Sequence, residues 1–207
     1  MILPDTQNGH LLPLADHFYS IQGEGNNAGK PVYFIRLGGC DVGCSWCDSK
    51  ETWNPAKFPM VSVNEITSMV AETQANAVVI TGGEPALYNL LPLCMELKKI
   101  NLKIYLETSG SSSIIGIFDW ITVSPKKIKP PLEDSLLKAS ELKVVIGNPE
   151  DFTWAETNKS RVEKGCRLYL QPEWNNIETM LTTIVDYALK NPEWSVSMQV
   201  HKYMNIK

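Results

Sequence analysis

Short apolar segments recur along this chain, and each is followed by a polar segment that contains glycine or proline. Residues 77–80 are wholly apolar, for example, and the run Thr81-Gly82-Gly83-Glu84-Pro85 follows them directly. A strand buried on both faces, as in a parallel sheet, has this composition. Segments with helical periodicity, such as residues 87–99, lie between the apolar segments. The alternation predicts a parallel sheet whose strands are joined by right-handed crossovers.

The same pattern places further strands at residues 32–37, 104–106, 120–123, 142–146 and 168–170. A first strand is predicted at residues 18–21, and a last one, at 195–200, ends at His201. Only about a dozen residues separate Glu107 from Trp120, which is barely enough for a crossover. We therefore expect one domain, residues 1–207, folded as an incomplete, open α/β barrel of about six parallel strands. This is a (β/α)6-type partial TIM barrel, and polar residues at its strand ends form the site.

Three of the five cysteines fall within eight residues, as Cys40, Cys44 and Cys47, with Gly43 between them. A loop this tight folds around one inorganic centre, and three thiolates would bind three irons of a four-iron cluster and leave the fourth open. A structural zinc site is the alternative, but it needs four ligands, usually in two Cys-x2-Cys pairs. Cys94, among leucines, is expected to be a small buried hydrophobe, and we assign no role to Cys166.

The composition excludes several classes of function. A net charge of −4 argues against a dedicated nucleic-acid or anionic-membrane surface. No apolar run approaches the roughly 20 residues of a membrane helix, and the first ten residues lack the pattern of a signal peptide. The cysteine spacing is not that of a disulfide framework, so a reducing cytoplasm fits best.

Two motifs resemble those of radical S-adenosylmethionine (SAM) enzymes. One is the spacing Cys40-x3-Cys44-x2-Cys47 with Trp46 before the third cysteine, and the other is the run from Thr81 to Pro85 one strand later. The resemblance implies a 4Fe-4S cluster that cleaves SAM reductively to a 5′-deoxyadenosyl radical. The cofactor carries that chemistry, and the protein supplies position and exclusion of side reactions.

A narrower resemblance covers nearly the whole chain. It rests on Ile21-Gln22-Gly23-Glu24-Gly25, Arg36, Cys47-Asp48-Ser49, Ser124-Pro125-Lys126, Gln171-Pro172-Glu173 and His201-Lys202-Tyr203. These segments are similar to those of the 7-carboxy-7-deazaguanine synthase family. Membership implies rearrangement of 6-carboxy-5,6,7,8-tetrahydropterin to 7-carboxy-7-deazaguanine with loss of ammonia, after removal of the hydrogen at C6. The product feeds the biosynthesis of queuosine and related deazapurines.

The resemblance also implies a role for each matching residue. Cys40, Cys44 and Cys47 would hold the cluster, and Ser49 would place its hydroxyl on Mg²⁺. The pterin would contact Ile21, Gln22, Gly23, Glu24, Arg36, Thr81, His201 and Lys207. The SAM site would comprise Trp46, Cys47, Asp48, Gly83, Glu84, Ser109, Ser124, Pro125, Lys126, Gln171, Pro172, Glu173 and Trp174.

Expected partners are the small-molecule pterin, an electron donor such as flavodoxin, and a second copy of the chain, because an open barrel leaves exposed edge strands. Two other functions share parts of the pattern: a radical SAM activase that makes a glycyl radical on a partner protein, and a non-catalytic zinc or iron-sulfur protein. Three residues also have plain structural interpretations. Arg36 could be an ion-paired strand residue, Glu24 a solvated loop charge, and His201 a satisfied structural histidine.

Overall fold

A nine-stranded mixed sheet organises the computed structural model, which describes residues 2–207. The strands are β1 (Leu11–Ile21), β2 (Pro31–Leu37), β3 (Met60–Ser62), β4 (Ala77–Gly82), β5 (Lys103–Thr108), β6 (Trp120–Val123), β7 (Glu141–Ile146), β8 (Arg167–Pro172) and β9 (Trp194–Val196). Their order across the sheet is β3-β1-β2-β4-β5-β6-β7-β8-β9. Because β3 and β9 stand at opposite edges of this order, the sheet is unclosed, which confirms the predicted open, partial barrel.

The parallel part of the sheet runs from β2 through β4 to β9 without interruption. It therefore contains seven parallel strands, in agreement with the expected open barrel of about six. The last of them is β9, a three-residue edge strand that packs its buried Trp194 into the core and pairs with β8. The other two strands are antiparallel: β1 pairs with both β2 and β3. The strand predicted at residues 18–21 is only the last part of β1, which is 11 residues long.

Six α-helices accompany the sheet in the described residues: α1 (Val63–Ala71), α2 (Leu91–Lys99), α3 (Glu133–Leu137), α4 (Asp151–Lys159), α5 (Ile177–Lys190) and α6 (Val200–Met204). The helix predicted at 87–99 begins later, at Leu91, because residues Pro85–Leu87 form a separate 3-10 turn. As the short spacing indicated, β5 and β6 are joined without an α-helix. No helix in residues 2–207 has both the length and the apolar character needed to cross a membrane.

The chain after β9 differs most from the prediction. Residues 195–200 were expected to be strand, but β9 ends at Val196 and His201 lies in the short helix α6. The backbone N–H of Val200 donates to the carbonyl of Gly23 at 3.0 Å, so the chain bonds to the loop after β1 instead of continuing the ladder with β8. His201 consequently approaches the carboxyl ends of the strands from α6.

The side chains of β7 divide between the two faces of the sheet. Leu142, Val144 and Ile146 are fully buried in a hydrophobic core together with residues of α4 and α5. The alternating residues Lys143 and Val145 line the inner cleft. A second core, under β1, β2, β4 and β5, contains Cys94, which is fully buried as expected.

The helix α1 has a serine N-cap. Ser62 Oγ accepts a hydrogen bond from the backbone N–H of Glu65 at 3.2 Å. A Ser62→Ala variant is expected to lose about 1 kcal/mol of unfolding free energy, measured by urea denaturation. Ser68→Ala on the same helix is the control, because Ser68 Oγ only donates back to the Asn64 carbonyl, an exposed bond whose loss leaves stability nearly unchanged. Equal losses in the two variants would contradict the capping role.

Candidate active site

A cleft of about 500 Å³ lies at the carboxyl ends of the parallel strands. Its walls come from β2, β4, β5, β7 and β8, the cysteine loop, the loop after β1, and α6. Every predicted site residue lines this cleft except Pro125. Pro125 is buried, and its carbonyl accepts a hydrogen bond from Trp154 Nε1 at 3.4 Å. Residues scattered over most of the chain are thus brought to one place.

The cysteine loop is held against the loop that follows β4. The backbone N–H of Glu84 donates to the Gly39 carbonyl at 2.8 Å, and Gly83 N–H donates to the Leu37 carbonyl at 2.9 Å. A Cβ at Gly83 would lie 2.2 Å from the Gly39 carbonyl oxygen and 2.9 Å from Cys40 Cβ. Only glycine permits this approach, so the two motifs form one interlocked unit.

The three loop cysteines are half-buried and line the cleft. Burial raises the pKa of the Cys40 and Cys44 thiols, and the neighbouring charge of Cys47 raises both further. Such thiols ionise when a metal supplies positive charge. In residues 2–207, no three His, Cys, Asp or Glu side chains are grouped so that they could hold a single metal ion. The three thiols would fit a 4Fe-4S cluster, in which each thiolate binds a different iron.

Glu84 is almost fully buried between the two loops that follow β4 and β5. Its Oε1 accepts hydrogen bonds from Thr108 Oγ1 at 2.5 Å and from Ala86 N at 3.0 Å. Its Oε2 accepts from Ser109 N at 2.8 Å and from Ser109 Oγ. Because four donors already bind this carboxylate, Glu84 joins the two loops. Its contact with SAM stays a prediction.

Lys126 lies beneath the cysteine loop. Its Nζ donates to the carbonyl and the hydroxyl of Ser124, both at 2.6 Å, and lies 5.4 Å from the centroid of the Trp46 ring. Burial lowers the pKa of Lys126, while the nearby Cys44 thiolate opposes that shift. This half-buried ammonium near Cys44 adds positive charge to its side of the cleft.

Arg36 forms a second cationic wall. Its Nη1 donates to Ser49 Oγ at 3.0 Å, and Ser49 Oγ donates to Asp48 Oδ1 at 3.2 Å. Beside it, Phe18 and Phe34 stack with ring centroids 4.9 Å apart. Arg36 has no carboxylate partner in the described residues, so the interpretation as an ion-paired strand residue is wrong. This wall suits a planar ligand that carries a carboxylate.

Carboxylates also line the cleft. Lys143 Nζ lies 2.5 Å from Glu24 Oε2 and 3.0 Å from Glu107 Oε2. Burial would raise the pKa of Glu24, but the charge and hydrogen bond of Lys143 hold it at about 2. Burial raises the pKa of Glu107 to about 7, despite the lowering effect of Lys143. Glu24 is therefore not a solvated loop charge.

The loop after β1 packs between His201 and β7. A Cβ on Gly23 would lie 2.1 Å from His201 Nδ1, so the imidazole occupies the space that a larger residue would fill. Burial lowers the pKa of His201. The chain end lies near this loop: the Lys207 carbonyl accepts from Ser20 Oγ at 2.8 Å, and Lys207 Nζ pairs with Asp16 at 2.7 Å.

Lys143 and Glu107 are cleft residues that the motifs did not predict. A usable signal was present, since Glu107 directly follows the apolar run 104–106 and Lys143 interrupts the apolar residues of 142–146. Other unpredicted lining residues are Phe18, Phe34, Val42, Trp53, Gly82, Thr108, Val145, Asn175, Gln199 and Lys202.

Comparison with known proteins identifies the family. Residues 34–121 match the radical SAM superfamily model. The chain is 47% identical over 200 residues to the 7-carboxy-7-deazaguanine synthase of Flavobacterium psychrophilum, covering 97% of this chain and 95% of that protein. This chain belongs to the 7-carboxy-7-deazaguanine synthase family. The Escherichia coli K12 member is 34% identical and covers 94% of this chain.

A solved member has the same fold. The crystal structure of QueE from Escherichia coli superposes with a TM-score of 0.83 at 30% identity, covering 92% of this chain and 95% of that one. The radical SAM family assignment implies a 4Fe-4S cluster and SAM, for which the cysteine loop and the loops after β4 and β5 provide a fitting site. The cleft and its motifs are therefore those of a radical SAM enzyme.

Proposed function

We propose that this chain is a 7-carboxy-7-deazaguanine synthase, which rearranges 6-carboxy-5,6,7,8-tetrahydropterin to 7-carboxy-7-deazaguanine with loss of ammonia. The identity of 47% to a relative of that name, over 97% of the chain, carries the proposal. The cleft supports it, because Arg36, the carboxylates Glu24 and Glu107, and the three cysteines line the same space. A carboxylated ring with a guanidine-like edge has matching charges at its two ends.

The proposed pterin site lies between Arg36 and Glu24. The guanidinium of Arg36 would bind the substrate carboxylate, for which its fork geometry is suited. Glu24, ionised because of Lys143, would accept hydrogen bonds from the guanidine-like edge. The other proposed contacts are Ile21, Gln22, Gly23, Thr81, His201 and the chain end at Lys207, all of which line the cleft.

The proposed cofactor site lies against the cysteine loop. Cys40, Cys44 and Cys47 would hold the cluster, which with bound SAM supplies the radical chemistry. The SAM contacts are assigned to Trp46, Asp48, Gly83, Glu84, Ser109, Ser124, Lys126 and the run from Gln171 to Trp174, which line the adjoining walls. Pro125 would act indirectly, by fixing the turn between Ser124 and Lys126. Lys202 Nζ lies 4.4 Å from the centroid of the Trp174 ring, and both residues line the cleft.

Mg²⁺ is assigned to the Ser49 hydroxyl, next to the Asp48 carboxylate at 3.2 Å. Both lie beside Arg36, where the substrate carboxylate would bind. Oxygen ligands with retained waters and a substrate carboxylate are the usual shell of this ion. The enzyme is further proposed to work as a homodimer in the cytoplasm, with a flavodoxin-like electron donor. Its free thiols suit a reducing compartment.

Gly25 is expected to be indispensable in the loop after β1, which carries several of the proposed pterin contacts. Its φ is +62°, and a Cβ there would lie 2.0 Å from Glu141 Oε1. Gly25→Ala should displace Glu141 and Glu24 and lower product formation by about a hundredfold. Gly29→Ala is the matched control: its φ of +84° gives similar strain, but nothing lies within 4 Å of the added Cβ. If the two variants lose activity equally, backbone strain alone explains the effect and the contact with Glu141 has no part in it.

Complementation tests the proposed function in a cell. A bacterium from which the 7-carboxy-7-deazaguanine synthase gene has been deleted lacks queuosine in its tRNA. Expression of this chain is expected to restore queuosine, detected by mass spectrometry of tRNA nucleosides. A stably expressed, cluster-loaded chain that restores none would contradict the proposal.

A further inference from the structure

Three carboxylates face a single ammonium beneath the cleft. Lys143, whose side chain is 5% exposed, contacts both Glu24 and Glu107. Glu141 stands two residues before Lys143 on β7 and is 1% exposed. Glu141 Oε1 is buried without a hydrogen-bond partner. Glu141 Oε2 accepts hydrogen bonds from Asn26 N and Trp120 Nε1, both at 3.1 Å, so Glu24 and Glu107 are the two carboxylates that depend on the lysine.

The lysine joins parts of the chain that are far apart in sequence. Glu24 lies in the loop after β1, Glu107 on β5 and Lys143 on β7. Amides hold the remaining oxygens: Gln199 Nε2 donates to Glu24 Oε1 at 2.8 Å, and Gln22 Nε2 to Glu107 Oε1 at 3.4 Å. Glu24 and Glu107 both line the cleft, so their orientation decides how a ring can bind there.

We propose that Lys143 is a positioning residue for the pterin, whose buried ammonium holds Glu24 and Glu107 as one fixed pair of hydrogen-bonding groups on the cleft wall. The inference rests on the proposed function and adds to it a residue that organises the substrate contacts. Without the ammonium, Glu24 and Glu107 would lose the partner that they share, and their side chains would leave their present geometry.

The charges around Lys143 determine how this pair depends on pH. The negative charges of Glu24, Glu107 and Glu141 favour the protonated form of Lys143. The other charged or titratable neighbours of Lys143 are Lys126 and His201. Burial raises the pKa of Glu107 to about 7, and the Lys143 ammonium keeps it from rising further. Removing the ammonium therefore moves the protonation of Glu107 to higher pH.

Binding of 6-carboxypterin to the reconstituted protein, followed by pterin fluorescence between pH 5.5 and 9, tests the proposal. Lys143→Met is expected to weaken binding by about a hundredfold and to move the pH midpoint of binding upward. Lys143→Arg, which keeps the charge, should retain most of the affinity and the native midpoint. SAM binding should be unchanged in both variants. Lys138→Met, at an exposed lysine paired with Asp134, is the matched control and should behave like the native protein.

A second comparison applies if Lys143→Met does not fold. The double variant Lys143→Met, Glu107→Gln removes both the ammonium and one of its two carboxylate partners. It is compared with the single variant Glu107→Gln. Weaker pterin binding in the double variant supports the proposal, and equal binding overturns it. Native-like affinity and pH midpoint in Lys143→Met likewise overturn the inference but leave the proposed function intact. If the native protein itself neither binds the pterin nor forms product, the proposed function fails as well.

Discussion

Replacing Cys44 by alanine is expected to abolish iron binding and product formation together, while the chain stays folded. The three cysteines of the loop provide one thiolate for each of three irons, and no other cysteine lines the cleft. Iron and sulfide content after anaerobic reconstitution, the visible absorbance of the cluster and product formation are measured on the same preparation. We expect about four irons per native chain and a loss of at least a thousandfold in activity in the variant.

Cys166→Ala is the matched control for this variant. Cys166 is a free, half-buried cysteine whose pKa burial raises to about 11, and it lies outside the cleft. Its replacement should leave iron content and activity unchanged. A Cys44→Ala protein that keeps a full cluster and normal turnover would contradict the assignment of the loop. About one zinc and no sulfide in the native protein would instead support the non-catalytic alternative.

Arg36→Ala should lower the use of the pterin by about a hundredfold or more, because it removes the cationic partner of the substrate carboxylate from a partly enclosed site. SAM cleavage without pterin should continue, since Arg36 contacts Ser49 and none of the cysteines. The two activities are measured as 7-carboxy-7-deazaguanine and 5′-deoxyadenosine from the same reactions. Loss of the first with retention of the second assigns Arg36 to the substrate.

Arg161→Ala controls for the loss of an arginine as such. Arg161 forms a surface pair with Glu133 at 2.8 Å, away from the cleft, so its replacement should change neither activity. An Arg36→Ala variant that converts the pterin normally would contradict the proposed carboxylate site. Equal loss of both activities would show that Arg36 supports the cysteine loop instead.

The sequence predicted the cleft well because its motif residues follow strands. Thr81, Ser109 and Lys126 each follow an apolar run, and the carboxyl ends of parallel strands meet at one edge of a sheet. Once the strands are identified, the residues that follow them are expected to lie together at that edge. The glycine at position 83 is explained by the fold, because the space there is too small for a Cβ.

Two features could not be predicted, and both depend on contacts between distant segments. The charge cluster joins Glu24, Glu107 and Lys143 across strands that only the folded sheet brings together. Residues 195–200 were misassigned because their alternation of polar and apolar residues predicts a strand. The hydrogen bond from Val200 N–H to the Gly23 carbonyl instead takes the chain out of the sheet. The residues near Val200 in the sequence do not indicate that this hydrogen bond forms.

The central claim is tested most directly by an anaerobic reaction of the iron-reconstituted chain with SAM, a strong reductant and 6-carboxy-5,6,7,8-tetrahydropterin. The reaction is run with and without Mg²⁺ and read by mass. Our account predicts 7-carboxy-7-deazaguanine in the complete reaction, none when SAM or reductant is omitted, and less when Mg²⁺ is withheld from the Ser49 site. Formation of 5′-deoxyadenosine without any 7-carboxy-7-deazaguanine, by a protein with a full cluster, would contradict the proposed substrate.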